Sequence, residues 1–121
     1  MTQGSAARAA STAGLVYANK VSQVRKSMTT EELAQIVSVK PRAVQHWAAG
    51  TNRPTGVARD RLLELAYVVE LLDDVYDPEG VEIWLHARNR TLDNRRPLDL
   101  LVDGDFEPVL LAVERLASGA M

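Results

Sequence analysis

The stretch from Ala58 to Tyr76 constrains the fold more than any other part of the chain, because after Arg61 its only charged residues are Glu64, Glu70, Asp73 and Asp74. An apolar side chain on nearly every helical face predicts a buried helix rather than a one-sided surface helix. Its 19 residues contain no Gly or Pro, which favours a helix over a strand. The interior Glu64 and Glu70 argue against a membrane span. We therefore expect an all-α protein in which a long, buried central helix joins two smaller helical parts.

The two parts on either side of this helix differ in charge. Residues 1–60 carry eight Lys or Arg and three acidic residues, a net charge of +5. Residues 61–121 carry six Arg and thirteen acidic residues, a net charge of −7. This asymmetry favours a front half that binds a polyanion and a back half that binds something else. Solvated surface charge, unevenly spread, is the alternative.

The composition of the chain limits its size class, its cellular compartment and the kinds of cross-link or metal site that it can form. A chain of 121 residues with 46% hydrophobic content can form one compact domain, or two small helical modules that share a core. The absence of cysteine from the sequence excludes disulfides and thiolate metal sites. Residues 1–13 lack the apolar segment of a signal peptide and are typical of a flexible arm, so we expect a cytoplasmic protein.

The front half contains signals for three helices. Apolar residues at helical spacing predict a first helix from Gly14 to Ser27. Thr29 followed by Glu32 is a capping box, which predicts the start of a short helix that ends at Val37. Pro41 and Gly50 mark the first turn and the end of a second short helix. Two short helices separated by a few residues are the pattern of a helix-turn-helix.

The run EELAQIVSVKPRAVQHWAAGTNRP resembles the helix-turn-helix of Xre-type (Cro/repressor-like) regulators. Val39 matches the apolar turn residue of that family, and Val44 and Trp47 match its core positions on the recognition helix. Two residues depart from the pattern: Ser38 replaces the usual Gly of the turn, and Lys40 replaces the usual Ser or Thr N-cap. Ser38 must therefore adopt a backbone region that favours Gly, and Lys40 forfeits a capping hydrogen bond of about 0.5–2 kcal/mol.

If this motif binds DNA, Val44 and Trp47 face the core and the other side of the recognition helix faces the major groove. Arginine can then pair with a guanine edge and glutamine with an adenine edge. Lysine and arginine nearby suit phosphates. The alternative is a motif used only for packing or assembly, with ordinary solvated side chains on this face. The candidate DNA-binding residues are Lys40, Arg42, Gln45, His46 and Arg53.

The back half predicts three further short helices. Pro78, just after Asp77, is a helix-opening signal, and Pro97 is another. Apolar residues at helical spacing predict the last helix, from Phe106 to Leu116. The order Trp84-Leu85, Asn89, Leu92, Pro97-Leu98, Leu100-Leu101, an acidic turn with Gly and a terminal helix is similar to the toxin-binding domain of the Xre/MbcA/ParS antitoxin family.

In that family a Gly usually stands shortly before the Pro, whereas this sequence has Asp93-Asn94-Arg95-Arg96. Asn94 can keep the turn, because Asn tolerates a left-handed backbone better than most residues. Trp84, Leu92 and Pro97 are interpreted as core and turn residues of the module. The resemblance implies the domain layout: arm 1–13, Xre-like helix-turn-helix domain 14–56, connecting helix 57–76 and toxin-binding domain 77–121.

The resemblance implies a type II antitoxin whose partner is a RES-domain toxin, an enzyme that consumes NAD. The antitoxin would cover the toxin's active site with its back half. The acidic back half would complement a cationic NAD pocket, and the basic front half would bind operator DNA and repress the operon. The candidate toxin-binding residues lie in a polar loop and at the C-terminus, where plain solvation is the alternative: Asn89, Arg90, Arg95, Arg96, Arg115, Ser118, Gly119 and Met121.

The sequence argues against catalysis and leaves one alternative function open. Glu82 and His86 could imitate an acid/base pair, but the sequence has no second His at ligand spacing, no Gly-rich phosphate loop and no nucleophile. We therefore expect neither an enzyme nor a cofactor or metal. The alternative function is a stand-alone helix-turn-helix repressor whose back half is a dimerisation module. A homodimer or a larger toxin–antitoxin hetero-oligomer is expected, because so short a chain does not fully cover its central helix.

Overall fold

The computed structural model describes residues 14–119 of the chain. These residues are helical without β-strands, apart from one isolated bridge between Asn89 and Arg95. The predicted all-α class is therefore confirmed. The helices are α1 (residues 14–24), α2 (Thr30–Val37), α3 (Pro41–Ala48), α4 (Gly56–Asp73), α5 (Pro78–His86), a 3-10 turn (Arg90–Leu92), α6 (Pro97–Val102) and α7 (Phe106–Ala117).

The helix starts follow the capping signals of the sequence. The Glu32 N–H donates to Thr29 Oγ1 at 3.1 Å and the Thr29 N–H donates to Glu32 Oε1 at 2.9 Å, so the predicted capping box is present. At the start of α5 the Asp77 carboxylate accepts from the Gly80 N–H at 2.8 Å. These side chains satisfy backbone donors that the first turn of a helix leaves without partners.

The central helix α4 packs against α2, α5 and α7. Its face toward these helices is fully buried, but Leu63 and Tyr67, one turn apart on the other face, are 39% and 45% exposed. The prediction of a helix buried all round is wrong for that face, because the neighbouring helices cover one side only. Of the helices in the described range, none is long and apolar enough to cross a bilayer. The buried residues of α4 are Leu62, Leu65, Ala66, Val68, Val69 and Leu72.

The predicted C-terminal end of the central helix is also corrected. The helix ends at Asp73, so Val75 and Tyr76 lie in the turn before α5 and are exposed. In the front half, α1 ends at residue 24, before the predicted Ser27.

Both halves share one hydrophobic core. The helix α2 packs against α3 and α4 and also against α6, and the buried residues of front and back form one cluster. Val44 and Trp47 of α3 and Leu92 of the 3-10 turn belong to it, while Val39 and Trp84 are half-buried against it. The recognition helix α3 is thus connected to the back half through α2, which contacts α3, α4 and α6.

Candidate functional site

An apolar groove crosses the surface of the back half between α5, the 3-10 turn and α7. Trp84, Leu92, Leu111 and Leu116 are among its lining residues, and its volume is about 450 Å³. A second depression of about 270 Å³ adjoins it and is lined by residues of the α4–α5 turn and α5, among them Tyr76 and Ile83. Trp84 and Asn89 line both depressions. We call this continuous surface the Trp84 groove.

The groove exists because α5 and α7 carry apolar side chains on their outer faces as well as on their inner faces. Ile83 lies two positions from the buried Val81 and Leu85, and it is 61% exposed. In α7, Leu111 lies two positions from the buried Val109 and Val113, and it is 51% exposed. A step of two residues turns a helix by about 200°, which directs these side chains away from the core. Such exposed apolar patches mark interaction surfaces.

Asn89, one of the predicted partner-binding residues, closes the loop between α5 and α6. Its Oδ1 accepts from the Thr91 N–H at 2.9 Å and from Thr91 Oγ1 at 2.6 Å. Its main-chain N–H donates to the Arg95 carbonyl at 3.1 Å, and its carbonyl accepts from the Asn94 N–H at 2.9 Å. Asn94 has the left-handed backbone expected from the sequence, with φ 61°, and Asp93 has it too, with φ 56°. The loop is therefore held in one shape beside the groove.

Two of the predicted partner-binding arginines are engaged within the chain. Arg95 Nη2 donates to Asp103 Oδ2 at 2.7 Å. Arg96 binds Asp99 through two hydrogen bonds, from Nε at 2.9 Å and from Nη2 at 2.7 Å. The hydrogen bonds from Arg96 hold the pKa of the Asp99 carboxyl below its ordinary value. These pairs join the loop to α6.

The other predicted partner-binding residues fall in different places. Arg115 lines the Trp84 groove together with Asn89, and Arg90 is exposed in the 3-10 turn. Ser118 Oγ donates to the Arg115 carbonyl at 3.1 Å, and Gly119 has a φ of 73° just after α7. Met121 lies outside the described residues. The structure therefore brings Asn89 and Arg115 together, with Ser118 and Gly119 at the end of the same helix.

The predicted nucleic-acid-binding residues of α3 share one face. Arg42, Gln45 and His46 are exposed, at a spacing that places them side by side on a helix. Lys40 precedes the helix with an extended backbone, and within the described residues its side chain makes no capping hydrogen bond, as expected. Arg53 is exposed in the segment that follows.

The turn before α3 is fixed by a residue that the site predictions missed. Ser38 has a left-handed backbone with φ 62°, as its place in the motif requires. Arg61 of α4 donates through Nη1 to Ser38 Oγ at 2.9 Å and to the Ile36 carbonyl at 3.0 Å. A side chain from the central helix thus compensates for the missing Gly.

Sequence reasoning also missed Ile83 and Leu111, which give the groove its exposed apolar surface. A signal for them was present: both are large apolar residues out of phase with the buried positions of their own helices. Helical phase therefore separates core residues from residues available to a partner.

Together these features define a small all-α binding protein with two candidate interfaces, an apolar groove on the back half and a polar, partly basic helix face on the front half. None of the protein-family models searched matches the chain. Known proteins are nevertheless similar over most of its length. The mycobacterial cidal antitoxin MbcA of Mycobacterium tuberculosis is 38% identical over 95 residues, which are 78% of this chain and 84% of that protein. MbcA of Mycobacterium bovis matches to the same extent.

Two further similarities agree with these. A probable mycobacterial cidal antitoxin of M. tuberculosis is 43% identical over 93 residues, which are 77% of this chain and 79% of that protein. A chain in the crystal structure of the M. tuberculosis MbcT-MbcA toxin-antitoxin complex superposes with a TM-score of 0.72 and 37% identity, covering 86% of this chain and 96% of that chain. This chain therefore belongs to the MbcA family of antitoxins, and the predicted antitoxin identity is confirmed at that level.

Proposed function

We propose that this antitoxin neutralises a RES-domain toxin, an enzyme that consumes NAD, by binding it and covering its active site. The observation that carries the proposal is the Trp84 groove, an exposed apolar surface on the half of the chain predicted to bind the toxin. Binding a partner on such a surface is favourable, because the complex removes apolar area from water. The relative of known structure, MbcA, was crystallised in a toxin–antitoxin complex with MbcT, which supports a toxin as the partner here.

Charge supports the same partner. An NAD pocket must hold a pyrophosphate and is therefore cationic, whereas residues 61–121 carry a net charge of −7. Opposite charges speed the encounter of two proteins, and buried apolar anchors slow their dissociation. In this arrangement Arg115 and Asn89 contact the toxin from the groove. Contacts from the edges of the groove come from Arg90, Ser118, Gly119 and Met121. The loop between α5 and α6 is held toward the toxin by Arg95 and Arg96.

The front half supplies a second activity. We propose that residues 14–56 form an Xre-type helix-turn-helix that binds operator DNA, alone or with the toxin bound, and represses the operon. The exposed face with Arg42, Gln45 and His46 supports base contacts, and Lys40 and Arg53 supply phosphate contacts. Residues 57–76 connect this part to the toxin-binding domain 77–121. The protein acts in the cytoplasm, as a homodimer or within a larger hetero-oligomer with the toxin.

A pull-down tests the toxin partnership. Tagged protein is purified from cells that express its native operon, and the co-purifying chain is assayed for NAD consumption before and after the two are separated. We expect a stoichiometric partner that destroys NAD only when it is released. A protein that emerges alone and binds its own promoter contradicts this and favours the stand-alone repressor.

A pair of variants tests the division of labour. Arg42→Ala combined with Gln45→Ala removes two exposed base-contacting side chains and should abolish operator binding while toxin neutralisation is retained. Arg115→Ala is the reciprocal variant, which should weaken toxin binding and leave operator binding intact. Loss of neutralisation in the first variant, with the fold retained, contradicts the assignment.

A further inference from the structure

We infer that the Trp84 groove receives one continuous apolar segment of the toxin, and that this segment carries Lys or Arg at its end nearest the α4–α5 turn. The inference rests on the proposed function and adds to it the place of contact and the chemistry of the partner segment. It follows from the shape of the groove, from the distribution of charge around it and from the position of that charge on the helices.

The groove is long enough for a segment rather than for one side chain. Its two depressions, of about 450 and 270 Å³, meet at Trp84 and Asn89. Leu111 stands exposed in one depression and Ile83 in the other. An extended or helical segment that places apolar side chains on both sides of Trp84 would therefore cover both exposed residues.

One end of the groove is strongly acidic. Between residues 62 and 87 the sequence has seven acidic residues and neither Lys nor Arg. Four of these acids are exposed in or beside the α4–α5 turn, at the Tyr76 end of the groove, and we call them the acidic rim: Asp73, Asp74, Asp77 and Glu79. Arg88 lines the same depression, but its Nη1 donates to the Asn94 carbonyl at 3.1 Å, so its charge lies toward the loop.

Part of the acidic rim works against helix stability. Asp73 is the last residue of α4 and Asp74 is its C-cap. The C-terminal end of a helix carries partial negative charge and favours cations, so two carboxylates there are unfavourable for the free protein. Basic side chains of a partner would relieve this repulsion. Two carboxylates at this position do not stabilise α4, and they suit a basic partner.

The same charge excludes other occupants. Docking a second copy of this chain on the groove would bring two back halves together, each with a net charge of −7 over residues 61–121, and like charges repel. DNA phosphates would be repelled in the same way. A toxin segment with basic residues at that end satisfies both the apolar surface and its charge.

The apolar contact is tested with full-length protein and the toxin that co-purifies with it. Ile83→Ser and Leu111→Ser remove exposed apolar anchors without adding charge. Val57→Ser is the matched control, since Val57 is 65% exposed and lies outside the groove. Each groove variant should bind the toxin at least about tenfold more weakly, mainly through faster dissociation, whereas the control should match the wild type. Circular dichroism checks that all three remain folded.

The charge of the partner segment is tested separately. Asp73→Lys with Asp74→Lys reverses the rim at a helix end that favours cations, so the fold is retained. The matched control is Asp60→Lys with Glu64→Lys, which changes the net charge equally on the same helix outside the rim. The rim variant should associate with the toxin about tenfold more slowly at low salt, and its association rate should depend less on salt than that of the control.

The outcomes separate this inference from the proposed function. If the wild type binds the toxin and both groove variants bind it equally well, the toxin docks elsewhere, and the inference is overturned while the proposed function stands. If the rim variant associates faster than the wild type, a basic end of the segment is excluded. If the wild type binds no toxin, the proposed function fails and the inference fails with it.

Discussion

His86 Nε2 lies 2.9 Å from Glu32 Oε2, although 54 residues separate them in sequence. The other ring nitrogen, Nδ1, lies 2.7 Å from the main-chain carbonyl of Glu82. A carbonyl and a carboxylate can only accept hydrogen bonds, so both ring nitrogens must donate, and the doubly protonated imidazolium is favoured. The contact ties the capping box of α2 to the last turn of α5 and therefore joins the two halves.

This pair should make stability depend on pH. Burial disfavours the charged His86, but the hydrogen bonds to the Glu82 carbonyl and the Glu32 carboxylate outweigh it and raise the pKa of His86 above its ordinary 6.5. Burial opposes ionisation of Glu32 as well, but hydrogen bonds from the Thr29 N–H and His86 lower its pKa below the ordinary 4.5. A histidine whose pKa is raised by folding stabilises the folded state at pH values below its ordinary pKa of 6.5. A glutamate whose pKa is lowered by folding stabilises it at pH values above its ordinary pKa of 4.5. The pair therefore contributes fully between these values.

The measurement is chemical unfolding of the wild type and of His86→Gln at pH 5.5 and pH 8.5. We expect the substitution to cost about 1 kcal/mol at the lower pH, since both side chains are partly exposed, and clearly less at the higher pH. Equal losses at both pH values would show that the charge of His86 does not contribute.

Arg61 supplies a second link between the halves. Besides its bonds to Ser38 and Ile36, its guanidinium lies against Gly104 in the turn between α6 and α7, where an added Cβ would stand 2.6 Å from Nη2. Arg61→Met should cost about 1–2 kcal/mol, because it removes two hydrogen bonds and leaves a partly buried carbonyl without its donor. Gly104→Ala should cost at least as much, since Gly104 has a φ of 81° and the new methyl meets Arg61.

A double-mutant cycle checks this contact. In the Arg61→Met background the steric part of the Gly104→Ala penalty disappears, because the guanidinium is gone, while the backbone strain remains. In denaturant unfolding, the double variant should therefore lose about 1 kcal/mol less unfolding free energy than the two single variants lose together. Strict additivity would mean that the Gly104 turn relaxes away from Arg61.

The elements of the fold could be predicted from local signals. The capping box at Thr29 and the prolines at 41, 78 and 97 each mark a helix start that the structure contains. The contacts of Arg61 and His86 could not, because their partners lie 23 to 54 residues away and meet only once the helices pack. The exposed face of α4 was missed for the same reason, since an apolar pattern does not say how many neighbours will cover it.

The candidate site divides along similar lines. Polar residues at a turn or helix end, such as Asn89 and Arg115, are predicted as toxin contacts from their chemical type and from the family resemblance. Ile83 and Leu111 were overlooked, because an apolar residue in a short helix is easily assigned to the core. Arg95 and Arg96 were assigned to a partner, but the structure shows that Arg95 also forms an ion pair with Asp103, the C-cap residue of α6, and Arg96 with Asp99 of α6.

The N-cap of α3 offers a variant that separates stability from DNA binding. Lys40 has the extended backbone of an N-cap residue, with φ −79° and ψ 151°. Lys40→Ser supplies a hydroxyl acceptor for the first turn and should raise the free energy of unfolding by about 1 kcal/mol. The same change removes a proposed phosphate contact, so the affinity for the operator should fall. The slope of log affinity against log salt concentration should become shallower by about one. Unfolding and DNA-binding titrations at several salt concentrations measure the two effects.

The control is Arg53→Ser, which removes a proposed phosphate contact in the segment after α3 and offers no capping hydroxyl to that helix. It should weaken operator binding without stabilising the protein. If Lys40→Ser is stabilised and binds the operator as tightly as the wild type, Lys40 makes no phosphate contact.

The C-terminal segment can be tested without disturbing the core. A chain that ends at Ala117 keeps Val113, which is fully buried, and Leu116, which packs against the core, whereas a cut after Leu111 would remove both. Among the bonds that the shorter chain loses are those that close the last turn of α7, from the Ser118 N–H to the Glu114 carbonyl at 2.9 Å, from Ser118 Oγ to the Arg115 carbonyl at 3.1 Å and from the Gly119 N–H to the Leu116 carbonyl at 3.1 Å. Its stability should fall by about 1 kcal/mol or less.

If the proposed contacts of Ser118, Gly119 and Met121 help to cover the toxin's active site, this truncated chain should still bind the toxin through the Trp84 groove but inhibit NAD consumption at least about tenfold less well. Titrating the toxin with the wild-type and truncated chains, with NAD loss and complex formation followed together, distinguishes binding from inhibition. Equal inhibition by both chains would place the occluding residues before Ser118, with Arg115 and the 89–96 loop as the remaining candidates. Loss of binding together with inhibition would instead make the segment part of the docking surface.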